Sequence, residues 1–170
     1  MNTDSVFGVW ILEFEVWDLG FGTWDLEFVK ILHVYKDYYP IVGGIENHVR
    51  ALAEGLARRG HEVAVLVCHP ERRTEVEMLN GVRVIRAARA GTIASTPLSW
   101  ELPSLLAREK PDITHLQFPY PLGEVCHWLR GRGRTVITYH SDVVRQKFIG
   151  ALYRPFMRWG LRRADSILAT

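Results

Sequence analysis

Short apolar runs separated by amphipathic stretches of helix length constrain this chain more than any other feature. Lys30–Lys36 (KILHVYK), Val63–Cys68 (VAVLVC), Asp112–Gln117 (DITHLQ) and Thr135–Tyr139 (TVITY) are β-branched and aromatic segments that read as strands. Val63–Cys68 contains no polar break, the pattern of a strand buried on both faces. Ile45, Val49, Leu52, Ala53, Leu56 and Ala57 recur at helical spacing, and Gly60 is placed to end that helix. Val82–Arg86 follows an Asn80-Gly81 turn as another short strand. Trp100–Arg108 and Gly123–Arg130 read as helices, Val144–Arg163 as a long helical stretch containing Pro155, and Asp165–Ala169 as a last strand. Strands alternating with helices at these lengths imply an α/β fold, a doubly wound parallel sheet with helices on both faces. Ligands of such sheets bind beyond the carboxyl ends of the strands. The loops after Lys36, Cys68, Gln117 and Tyr139 are therefore where chemistry is expected.

The first 29 residues do not share this pattern. Phe7, Phe14, Phe21 and Phe28 recur every seven residues, as do Trp10, Trp17, Trp24 and Leu12, Leu19, Leu26. A coiled coil would keep its leucines on the apolar seam, which these miss, and Gly8, Gly20 and Gly22 weaken a helix. A strand with an odd repeat turns its buried face over at every unit. Residues 1–29 are thus expected to be a repetitive acidic and aromatic extension, disordered or lying upstream of the true start, with a docking element as the alternative. Residues 30–170 are expected to form the domain.

Charge divides the chain at the same point. Residues 1–29 hold six of the 19 acids and no base, while the remainder sets 13 acids against all 21 Lys and Arg and stands at +8. A basic domain favours anionic partners. Two cysteines, Cys68 and Cys126, exclude a disulfide scaffold and suit a reducing compartment. The acidic start does not fit a secretory signal, so a cytoplasmic location is expected. Each cysteine precedes a histidine (His69, His127), but this spacing is not that of a zinc site, and no metal is expected. The stretch from Arg145 to Arg163 alternates arginines with Phe148, Leu152, Phe156 and Trp159. It reads as a core helix with a solvated basic face, or as a contact with anionic membrane at the inner face. No nucleic-acid module accompanies the charge, so nucleic acid is not an expected partner.

Two loops stand out. In KDYYPIVGGIENH, Gly43 and Gly44 precede a helix, where backbone amides and the helix dipole favour an anion. The pair lacks the third glycine of the dinucleotide fingerprint and the Lys-Ser/Thr of a Walker loop, and a tight strand–helix turn is the alternative reading. After the TVITY strand comes His140-Ser141-Asp142. A histidine there can hydrogen-bond or act as a base near neutral pH, or it can simply pack behind a helix cap.

In this order and spacing, YYPIVGGIENHVRALAEGLARRGHEVAVL, PDITHLQFP, VITYHSD and RRADSILAT resemble the N-terminal domain of family 4 glycosyltransferases of the GT-B fold. The resemblance covers Lys30 to Thr170. It implies a Rossmann-like sheet, the acceptor-side half of a two-domain enzyme that transfers sugar with retention from a nucleotide-diphosphate sugar to a glycan or lipid-linked acceptor. By similarity, Gly43 and Gly44 would meet the donor diphosphate and sugar, and His140 would act catalytically by hydrogen-bonding the sugar. Asp142, Arg145 and Lys147 would orient acceptor or phosphate, and Tyr38 and Tyr39 would line the acceptor side. No cofactor is implied. The family's donor-binding C-terminal domain is not in this sequence, so the expectation is a truncated product, inactive alone, or one completed by a separate donor-domain subunit. The alternatives are a non-catalytic module binding an acceptor or membrane surface, and a fragment of another GT-B enzyme such as an epimerase.

Overall fold

A computed structural model describes residues 28–93, 96–140 and 155–169. The repeats of residues 1–27 lie outside the described residues, as do Asp142, Arg145 and Lys147. The strands are β1 (Lys30–Val34), β2 (Glu62–Cys68), β3 (Glu75–Leu79), β4 (Val82–Ala87), β5 (Gly91–Ile93), β6 (Thr96–Leu98), β7 (Ile113–Phe118), β8 (Arg134–Tyr139) and β9 (Ser166–Ala169). The helices are α1 (Gly44–Arg58), α2 (Leu102–Glu109), α3 (Pro121–Arg130) and α4 (residues 155–161). Seven strands form one sheet in the order β3-β4-β2-β1-β7-β8-β9, and β5 pairs with β6 in a separate small hairpin.

All neighbours in the large sheet run parallel except β3 and β4, so the expected parallel sheet is in fact mixed. β3 was not foreseen. Its apolar residues Val76 and Met78 face solvent, while Glu77 holds Arg86 at 2.8 Å. Charge on the inward side of an edge strand discourages pairing with other chains. β5 and β6 were likewise missed, being three residues each. The expected helix from Trp100 begins only at Leu102, leaving Trp100 exposed in the preceding bend. Of the long stretch expected over Val144–Arg163, residues 144–154 lie outside the described residues, and residues 155–161 are helical.

The chain builds outward from β1 through β2 to β4 and then crosses back, so β7, β8 and β9 lie on the other side of β1. The sheet's switch point is therefore between β1 and β7, where a crevice opens beyond the carboxyl ends. Val63 to Cys68 are all buried, as their unbroken apolar pattern requires. α1 lays Val49, Leu52, Ala53 and Leu56 onto the sheet. It ends in a Schellman motif: Gly60 (φ +93°) donates to Ala57 O at 3.0 Å and His61 donates to Leu56 O at 3.3 Å. At the opposite rim, Asp112 accepts from Lys30 N at 2.8 Å and Asp165 from Thr135 N at 2.7 Å. These two acids pin the amino ends of neighbouring strands, far from the crevice.

Candidate functional site

Histidines cluster at this switch point. His33 on β1 and His115 on β7 are register partners, and their rings lie 5.1 Å apart. Both sit on the sheet face that carries Gln117, two residues further along β7. Beyond the strand ends, His48 of α1 meets His140 edge-on at 5.1 Å. The helix that follows β1 and the residue that follows β8 thus meet at one point. Gly43 is the N-cap of α1 and Gly44 its first residue, which is exposed. A Cβ on Gly43 would collide with Glu46 Oε2, because that carboxylate folds back over the helix start. An acid there complements the dipole, so an incoming anion would share the helix end with Glu46.

Hydrogen bonding orients the histidines. His140 Nε2 lies 2.8 Å from Gln117 Oε1. An amide oxygen only accepts, so this nitrogen carries the proton and donates. His115 Nε2 pairs with Thr138 Oγ1 at 2.7 Å. Neither ring nitrogen of His33, nor Gln117 Nε2, has a partner among the described residues, although all are buried. Burial, reinforced by the neighbouring His48, lowers His33 to about 3 and His140 to about 4. Burial also lowers His48, and it holds His115 well below the ordinary range. All four rings are therefore neutral near pH 7, and His140 offers a directed hydrogen-bonding ring rather than a cation.

The tyrosines part company. Tyr39 is exposed, with the Arg50 guanidinium 4.2 Å over its ring and its carbonyl accepting from Arg86. Tyr38 corrects the expectation that it lines the acceptor side. It is 1% exposed and packs in the core behind the loop, where burying an aromatic ring is favourable. The two Cys-His pairs do not converge on a metal site. His69 bonds Glu75 at 3.1 Å, His127 bonds Thr135 at 2.8 Å, and Cys68 Sγ meets Tyr120 OH at 3.2 Å. His33, His48 and Gln117 had drawn no notice in the sequence, and His115 only as part of a motif. For His115 and Gln117 a signal was there, as polar residues at alternate positions of one strand.

The profile of Glycosyltransferase Family 4 matches residues 42–170. The chain belongs to this family. Over 146 residues it is 38% identical to the O-antigen chain mannosyltransferase C of Escherichia coli, covering 84% of this chain and 39% of that protein. It is 35% identical to the D-rhamnosyltransferase WbpZ of Pseudomonas aeruginosa over 83% of this chain and 38% of that one. The chain thus spans about two fifths of the length of these curated relatives. Sucrose-phosphate synthase from Thermosynechococcus elongatus shares the fold, with a TM-score of 0.50 at 18% identity over 82% of this chain and 46% of that one. The family 4 domain seen here is the N-terminal one, with the Rossmann-like α/β sheet of the GT-B fold. No helix of the described residues is long and apolar enough to cross a membrane.

Proposed function

We propose that this chain supplies the acceptor side of a retaining glycosyltransferase that moves a hexose from a nucleotide-diphosphate sugar to a glycan or lipid-linked acceptor. The observation that carries this reading is that His48, in the first turns of the helix that begins at Gly44, meets the ring of His140 at the switch point of the sheet. The mannosyl and rhamnosyl transfer named for the relatives supports a hexose of that kind.

On this reading the amides of Gly43 and Gly44 approach the donor diphosphate. The bond from the anomeric carbon to the diphosphate breaks, and the electron pair leaves with the nucleoside diphosphate. The new glycosidic bond forms to an acceptor hydroxyl, whose proton passes to the departing diphosphate oxygen. A neutral His140, steered by Gln117, hydrogen-bonds the transferred sugar and favours the charge that develops there. Transfer without a metal ion, and the donor domain needed to complete the reaction, belong to the same proposal.

Calorimetric titration with GDP-mannose and related nucleotide sugars tests it. The wild-type chain is expected to bind, and His140→Ala to weaken binding roughly tenfold, the worth of one hydrogen bond of about 1.4 kcal/mol. Tight binding indifferent to His140 would remove that residue from the site.

A further inference from the structure

A second concavity lies on the same rim of the sheet, beyond β2 and β4. It is a cleft of about 330 Å3 lined by Arg72, Ala88, Arg89, Ala90, Trp100 and Glu101. Three properties set it apart from an ordinary surface hollow. The first is Trp100, which lines the cleft and is 86% exposed, so that its indole face is accessible for stacking. The second is mixed polarity, since Arg72 and Arg89, which carry donors, line it together with Glu101, an acceptor. The third is rigidity. Arg89 Nε donates to His69 O at 2.9 Å, its guanidinium lies 3.6 Å from Asp37, and its own N–H donates to Glu71 O at 3.0 Å. Thr74 Oγ1 accepts from Ala88 N at 3.0 Å and donates to Glu101. The cleft wall is therefore preformed, and Arg89 ties it to the loops following β1 and β2.

An aromatic face beside paired donors and an acceptor matches a sugar ring, which presents an apolar C–H face and vicinal hydroxyls. We propose that this cleft is a distal saccharide subsite, in which Trp100 stacks on a sugar ring while Arg72, Arg89 and Glu101 bond its hydroxyls. The inference rests on the glycosyltransferase reading above and extends it to the acceptor. Four strand spacings of about 4.8 Å separate β4 from β8, so the cleft lies roughly 19 Å from His140 along the rim. A single sugar cannot occupy both places. The acceptor that this chain reads is therefore an oligosaccharide, held by an inner residue as well as by the one that reacts.

Titration of the full chain with α-linked mannose oligomers of one, three and five residues tests the subsite by calorimetry. Binding is expected to tighten at least tenfold from monomer to pentamer. Trp100→Ala should abolish that gain, and Arg72→Ala should reduce it severalfold. Both side chains are exposed, and unchanged melting temperatures will show that the variants fold. Length-dependent binding that survives Trp100→Ala would overturn the subsite while leaving the transferase reading standing. Absence of binding to every oligomer would overturn it equally, since nucleotide-sugar binding reads the His140 site separately. GDP binding lost in Trp100→Ala would overturn it too, by giving the cleft to a nucleobase.

Discussion

At the residue scale the histidine cluster carries the most consequence. His33 is fully buried with both ring nitrogens unpartnered, and burial lowers its pKa from 6.5 to about 3. Between those values the unfolded chain binds a proton that the folded chain refuses. Stability is therefore complete above pH 6.5 and falls as the pH drops toward 3. The slope is about 1.4 kcal/mol per pH unit for each such histidine. His33→Leu keeps a side chain of similar size and removes the buried polar atoms. In denaturant titrations the variant is expected to match or exceed the wild type at pH 7.5. It should also lose about 2 kcal/mol less between pH 6.5 and 5. An unaltered acid slope would mean that His33 is not the neutral group described here. None of this was visible beforehand, because KILHVYK shows a histidine in a strand but not the histidine of another strand across from it.

At the scale of elements, two glycines separate conformational cost from steric cost. Gly60 (φ +93°) closes α1 with open space around it, so Gly60→Ala pays only for the left-handed backbone, about 1 kcal/mol. Gly133 (φ +77°) precedes β8, and a Cβ there would lie 2.5 Å from Pro111 O and 2.6 Å from Asp112 O. Those are backbone atoms that cannot swing aside, so Gly133→Ala is expected to cost at least about 3 kcal/mol by thermal or chemical denaturation. Equal losses at the two sites would show that the strand start can shift. The role of Gly60 was legible in the sequence, since a glycine after an amphipathic helix has one common use. The role of Gly133 was not, since it depends on the turn before β7, some twenty residues away in the chain. The motif acids Asp112 and Asp165 make the same point. Each sits in a segment that carries the family resemblance, yet both serve the amino ends of strands rather than the site.

For the whole molecule, the order of the strands sets the order of stability. β1, β2 and β7 are interior strands with nearly every residue buried, whereas β3 and β9 are edges with alternate residues exposed. Amide exchange is expected to be slowest in β1, β2 and β7 and much faster in β3 and β9. Protection of β3 equal to that of β1 would contradict the topology. The rim of this sheet also holds both proposed sites, His140 at one end and the Trp100 cleft at the other, carried on loops from strands that a stable centre keeps in register.

What the sequence determined by itself is whatever local periodicity can report: which segments are strands or helices, which faces are buried, where α1 stops, and which loops hold glycines and histidines at strand ends. The α/β class and the positions of the Gly43, Gly44 and His140 loops followed from that, while the roles proposed for them come from the resemblance. Tertiary structure alone decided which strands are neighbours. The crossing from β4 back to β7 puts His115 against His33 and brings His140 to His48, and no short-range pattern encodes that crossing. It also turned Tyr38 inward, made Glu75–Leu79 a charged edge, and gathered Arg72, Arg89 and Trp100 around one cleft. Periodicity records how each segment divides its own surface between core and solvent. Which surfaces then meet is set by burial summed over the whole sheet.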